Sequence, residues 1–110
     1  CAATGLSEKE ALAVGYTPTS NITWGSAMAP SMGMKKIGLK LTADKSSGKL
    51  LGAQAVGVAG VVGRINALSV ALWAGMTIDE VGYLDLAYAP PFSAAWDIIH
   101  NAAQALRRMI

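Results

Sequence analysis

One cysteine, one histidine and seven acidic residues are a thin supply for a chain of 110, and each shortage closes a class of function. A lone Cys1 allows no internal disulfide, and without a second Cys or a cluster of His and acidic residues no metal site can be assembled. Cys1 as a nucleophile lacks a nearby base in sequence to lower its pKa, so it reads as an ordinary core or linker cysteine. Charge is scarce too, at 15% of residues with a formal net +2. The close basic pairs are Lys35-Lys36 and Arg107-Arg108, too few for a nucleic-acid surface.

Long apolar runs are also missing. Leu50 to Met76 is the most apolar stretch, but Gln54, Arg64 and Asn66 interrupt it, and glycines at 52, 57, 60 and 63 weaken any spanning helix. No basic n-region with a following apolar segment and cleavage site is present, so the expected setting is cytoplasmic, away from membranes. The chain opens on Cys1 and not on Met, which reads as a piece of a longer polypeptide.

What the sequence does have is apolar surface, 53% of its residues. That suits one domain over residues 1–110 with more apolar area than a single small core consumes, the remainder being available to a partner. Ser7-Glu8-Lys9-Glu10 is a capping box opening a short helix that ends near Gly15. An extended segment follows Pro18, with Ile22 and Trp24 alternating about Thr23, and breaks around Pro30 and Gly33. Ile37, Leu39, Leu41 and Ala43 alternate with Lys36, Gly38, Lys40 and Thr42, a two-residue period that predicts a strand with one wet face. Asp44 to Gly48 is turn chemistry, after which Lys49 to Gly57 returns as the second strand of a hairpin. Gly52 and Gly57 in that strand mark a close approach, most simply of a helix.

Gly63 to Gly75 encloses a helix that is apolar on nearly every face, with Ile65, Leu68 and Leu72 on one and Val70 and Trp73 on others. Such a helix needs cover on more than one side, and residues 64 to 74 are therefore the expected core of a two-fold contact. A second capping box, Thr77 to Glu80, opens a short helix toward Leu84. Leu86 to Phe92 contains Pro90 and Pro91 and forms a constrained loop. From Ser93, its expected cap, to Met109 runs an amphipathic helix: Ala95, Ile98, Ile99, Ala102, Leu106 and Met109 form its apolar stripe, and Asp97, Asn101, Gln104 and Arg108 lie opposite. Strands followed by helices give an α+β order with an antiparallel sheet.

Candidates for chemistry are few. His100, beside Asn101, is placed on the solvated side of the last helix, with no nucleophile next to it in sequence. Asp79 and Glu80 are accounted for by the capping box and the helix dipole. The glycines at 57, 60 and 63 stand between a strand and a helix, but their spacing is wrong for a dinucleotide turn and no βαβ unit follows. Tyr88 sits in a stiff proline-rich loop, where its phenol either projects as a hydrogen-bond donor or packs in a core with its hydroxyl bonded. Paired acid and base, metal cluster and activated nucleophile are all missing, so the isolated chain does not read as a complete enzyme.

Leu51-Gly52-Ala53-Gln54-Ala55-Val56-Gly57, Arg64-Ile65-Asn66-Ala67-Leu68, Ala71-Leu72-Trp73-Ala74-Gly75-Met76-Thr77 and Asp85-Leu86-Ala87-Tyr88-Ala89-Pro90-Pro91-Phe92-Ser93 resemble, in order and spacing, the dimerisation domain of pyridine nucleotide-disulfide oxidoreductases. Thr4 to Ala11 resembles the segment that opens that domain. The Tyr-Ala-Pro-Pro-Phe run is similar to the branch of NADH oxidases, NADH peroxidases and coenzyme A-disulfide reductases. The resemblance implies an α+β fold with helices packed on one face of an antiparallel sheet, and a homodimer. It also implies a parent enzyme whose preceding domains bind FAD and NAD(P)H and carry the redox cysteine, this domain binding neither cofactor alone. On that pattern Tyr88 supports catalysis in the partner subunit, reaching toward its redox cysteine, and Pro90, Pro91 and Phe92 lie near the partner's flavin. Where many relatives have Tyr-Tyr-Pro this sequence reads Met28-Ala29-Pro30, a departure that argues against coenzyme A-disulfide reduction in particular. The contrasting reading is a stand-alone α+β module that binds a ligand or protein without flavin chemistry.

Overall fold

In a computed structural model, residues 1–26, 36–57, 60–83 and 98–110 are described. Their elements run β1 (Ala2–Gly5), α1 (Glu8–Ala13), β2 (Pro18–Ser26), β3 (Lys36–Asp44), β4 (Leu50–Gly57), α2 (Val61–Trp73), α3 (Ile78–Val81) and α4 (Ile98–Arg107).

The β3–β4 hairpin forms where alternation and turn residues place it. Asp44 organises the turn: its carboxylate accepts from Ser47 Oγ at 2.8 Å and Ser46 Oγ at 3.0 Å, and from the amides of Ser46 and Thr17 at 3.4 Å. The Ser47 hydroxyl, with help from Ser46 and Thr17, holds the Asp44 carboxyl below its ordinary pKa. β4 carries one extra residue near its start, since Ala43 pairs with Leu50 while Thr42 pairs with Gly52. The bulge lets Leu50 and Leu51 both be buried despite being adjacent.

The sheet order is β1-β4-β3-β2, antiparallel throughout. β1 was not foreseen: Ala2 to Gly5 has no pattern of its own and is made a strand by docking on the edge of β4. The close approach at Gly52 is to this same stretch of chain and not to a helix. A Cβ there would fall inside the Leu6 carbonyl, and the Leu6 amide donates to Leu51 O at 2.8 Å.

Helices cover one face of the sheet, α2 over β4 and β1 and α4 over β2 and β3. Ile37, Leu39, Leu41, Ala53 and Ala55 meet Ile65, Leu68, Ile99 and Leu106 there, a core in which each fully buried Leu or Ile contributes about 2 kcal/mol. The other face is less wet than alternation implied. Gly38 is buried beneath the Trp24 indole, and Thr42 is 3% exposed with its hydroxyl 2.9 Å from Ser20 Oγ.

Both capping boxes are present, Ser7 with Glu10 and Thr77 with Glu80. α2 starts at Val61, three residues before the expected Arg64, because Gly60 at φ 73° serves as its N-cap. It ends as expected, with Gly75 at φ 71° turning the chain and Met76 N donating to Ala71 O at 3.0 Å. α4 is described from Ile98, so the expected cap at Ser93 and the break at Pro30 and Gly33 lie outside the described residues. Its stripe holds for Ile98, Ile99, Ala102 and Leu106 but not for Met109, which is about half exposed. His100 is corrected outright. At 4% exposure it is buried and not solvated, because α4 packs against α3 as well as the sheet and hides a wider arc than the periodicity implied.

Candidate functional site

Tyr88, Pro90, Pro91 and Phe92 lie outside the described residues, as do Asp85 and the Met28-Ala29-Pro30 segment. The remaining sequence candidates are not brought together. Asp79 is engaged by Arg107 in an exposed ion pair at 2.8 Å, Glu80 closes its capping box, and His100 is in the core. Among the described residues no group of three His, Cys, Asp or Glu could hold a metal ion. No helix among them is long and apolar enough to cross a membrane. Cys1 is exposed and free.

The described surface presents instead two apolar faces. The first is the outer side of α2. Its inner arc of Val61, Arg64, Ile65, Leu68 and Ala71 is buried. The helix is fixed in rotation by Ser69, whose hydroxyl lies 2.9 Å from both Thr4 Oγ1 and Ile65 O, and by Leu72 against Gly5. Arg64 folds back so that Nη1 donates to Gly60 O at 2.9 Å, which keeps its charge off the outer arc. At about 100° per residue, Val62, Gly63, Asn66, Val70 and Trp73 then share one outward arc. Val62 is 64% exposed, Val70 69% and Trp73 94%. Trp73 and Val70 belong to the segment expected to form a contact. Val62 was missed because the helix was started at Arg64, although a Val61-Val62 pair before a helical run was the available signal.

The second face is the side of the sheet away from α2 and α4. Register puts Trp24, Gly38 and Val56 in one row and Ile22, Lys40, Gln54 and Ala3 in the next. Together with Cys1 these rows line a shallow hollow of about 520 Å³. Ile22 and Trp24 were read only as strand residues, yet their alternation already placed both on one face.

An antiparallel sheet with α2 and α4 on one face, and with Val62, Val70 and Trp73 of α2 left exposed, defines an α+β domain with apolar surface uncovered. The comparisons place it. The family model of the pyridine nucleotide-disulphide oxidoreductase dimerisation domain matches residues 1–100, and the chain belongs to this family. It is 39% identical over 105 residues to an NAD(P)H sulfur oxidoreductase (CoA-dependent) of Pyrococcus furiosus, covering 94% of this chain and 24% of that protein. With a coenzyme A disulfide reductase of Staphylococcus aureus it shares 37% identity over 79 residues, covering 72% of this chain and 18% of that one. Among solved structures, a NAD-dependent persulfide reductase from A. fulgidus superposes with a TM-score of 0.93 at 38% identity, covering 97% of this chain and 20% of its own. The chain therefore spans a quarter or less of the relatives it matches.

Proposed function

We propose that residues 1–110 are one dimerisation domain of a FAD-dependent NAD(P)H oxidoreductase acting on disulfides, persulfides, peroxide or oxygen, and that the domain completes its twin's flavin and redox-cysteine site. The observation that carries this reading is the family match over residues 1–100, which includes the Tyr-Ala-Pro-Pro-Phe run. Similarity to a protein named as a persulfide reductase, at 38% identity and a TM-score of 0.93, favours sulfur substrates over oxygen.

The cofactors belong to the rest of the parent on this reading. The strand-to-helix step from β4 to α2 follows a strand of an antiparallel sheet, whereas a dinucleotide-binding turn belongs to a parallel βαβ unit. In such an enzyme the flavin supplies the relay of two electrons from nicotinamide to sulfur. This chain supplies Tyr88, whose phenol donates a hydrogen bond to the thiolate or leaving sulfur of the other subunit, with Pro90, Pro91 and Phe92 bordering the flavin.

Tyr88→Phe in the full-length parent removes only the hydroxyl. Turnover with a persulfide or disulfide substrate is expected to fall at least about tenfold, with flavin content and dimer mass unchanged. Unchanged turnover and an unchanged pH profile would remove Tyr88 from the chemistry.

A further inference from the structure

The hollow on the side of the sheet away from α2 and α4 is apolar but for one charged side chain, Lys40. Independently of how the chain associates, we infer that this hollow binds a linear amphiphilic anion, an alkyl chain ending in a carboxylate. Its head lies at Lys40 and its tail against Ile22, Trp24 and Val56.

Those three are the large apolar side chains of the hollow, and each is more than half exposed. The register gathers them around Lys40. Ile22 pairs with it from β2 and Gln54 from β4, while Trp24 and Val56 flank Gly38 in the adjacent row. Exposed apolar groups collected in one concavity mark a binding surface, whereas scattered single ones do not. The volume of about 520 Å³ lies inside the range of about 300–1,000 Å³ usual for small-ligand sites.

Charge selects the head group. Lys40 is half-buried, its ammonium has no hydrogen bond or ion pair among the described residues, and no Asp or Glu lines the hollow. An ammonium set among apolar walls without a counter-charge favours an anion. Gln54, directly opposite Lys40, brings a neutral amide donor within reach of the same head.

Shape selects an alkyl chain over a helix. The chain at Leu6 crosses the sheet directly above Gly52, on one side of the row that holds Lys40 and Gln54, and Trp24 and Val56 stand on the other side. Gly52 and Val56 are roughly 14 Å apart along β4 at about 3.4 Å per residue. Once the Leu6 backbone, the indole and the Val56 side chain take their own widths, the trough falls short of the about 10–12 Å that a helix with its side chains needs. An alkyl chain has no side chains to seat.

The test is calorimetric titration of decanoate, and of decanol as its uncharged counterpart, into the full-length parent. Wild type is expected to bind decanoate at least about tenfold more tightly than decanol, the scale of one charge-assisted hydrogen bond. Lys40→Gln should lose that preference and Lys40→Arg keep it, with the thermal midpoint in the absence of ligand unchanged, since Lys40 has no side-chain partner to lose. Trp24→Ala removes apolar wall and no charge, and should weaken both ligands by a similar factor. Absence of decanoate binding, equal affinity for the two ligands in wild type, or an undiminished preference in Lys40→Gln overturns the site. Binding by the isolated chain that the full-length parent lacks also overturns it, and gives this face to the parent's own domains. Retention on vesicles of anionic lipid without binding of free decanoate overturns it in favour of a membrane contact.

Discussion

Trp73 and Asp44 carry opposite kinds of information. Trp73 contributes nothing to the packing of its own copy, so Trp73→Ala should leave the thermal midpoint of the dissociated chain nearly unchanged and act on association alone. Asp44 acts wholly within the chain. Its folded pKa lies below the unfolded value of about 3.9, so its contribution is fully present above that value and is lost as pH falls through the folded pKa. The difference in thermal midpoint between wild type and Asp44→Ala is therefore expected to be constant near neutrality and to shrink once the pH drops below about 4, as followed by circular dichroism. Gly52 is a third case, because any Cβ runs into the Leu6 backbone. Gly52→Ala should destabilise by about 2 kcal/mol or more in a denaturant titration, and a loss under 0.5, about the scale of ordinary surface changes, would show that β1 and its loop can move aside. His100 marks where residue-level reading fails. Its neighbour Asn101 is exposed, and nothing in a 3.6-residue period tells that α3 covers the adjacent arc.

At the scale of elements, legibility followed locality. Capping boxes and two-residue alternation are written within a few consecutive residues, and the helix starts at Ser7 and Thr77 and the β3–β4 hairpin all emerged as read. β1 did not, because Ala-Ala-Thr-Gly acquires strand conformation only from its partner, and the wet face of β3 was misjudged because Trp24 crosses from β2 to cover Gly38. α2 is the element on which the two sides of the molecule depend. Leu68, fully buried on its inner arc, should cost 2 to 5 kcal/mol as Leu68→Ala in urea unfolding, about the range for a cavity of that size. The role expected of Tyr88 rests on family resemblance, since the proline pair by itself argues only for a constrained loop, and the segment lies outside the described residues.

For the whole molecule, the composition already held the main message: more apolar residues than one small core can use. The structure distributes that surplus over the outer arc of α2 and the face of the sheet away from α2 and α4, and membership of a dimerisation-domain family explains why a surplus exists. The chain's mass of 11.3 kDa makes the central claim directly measurable. Light scattering of the wild-type chain over a concentration series should show the mass rising from this value toward twice it, with the midpoint shifted to higher concentration by Trp73→Ala. A mass that stays at 11.3 kDa throughout would contradict the account of this surface as one that a second copy covers.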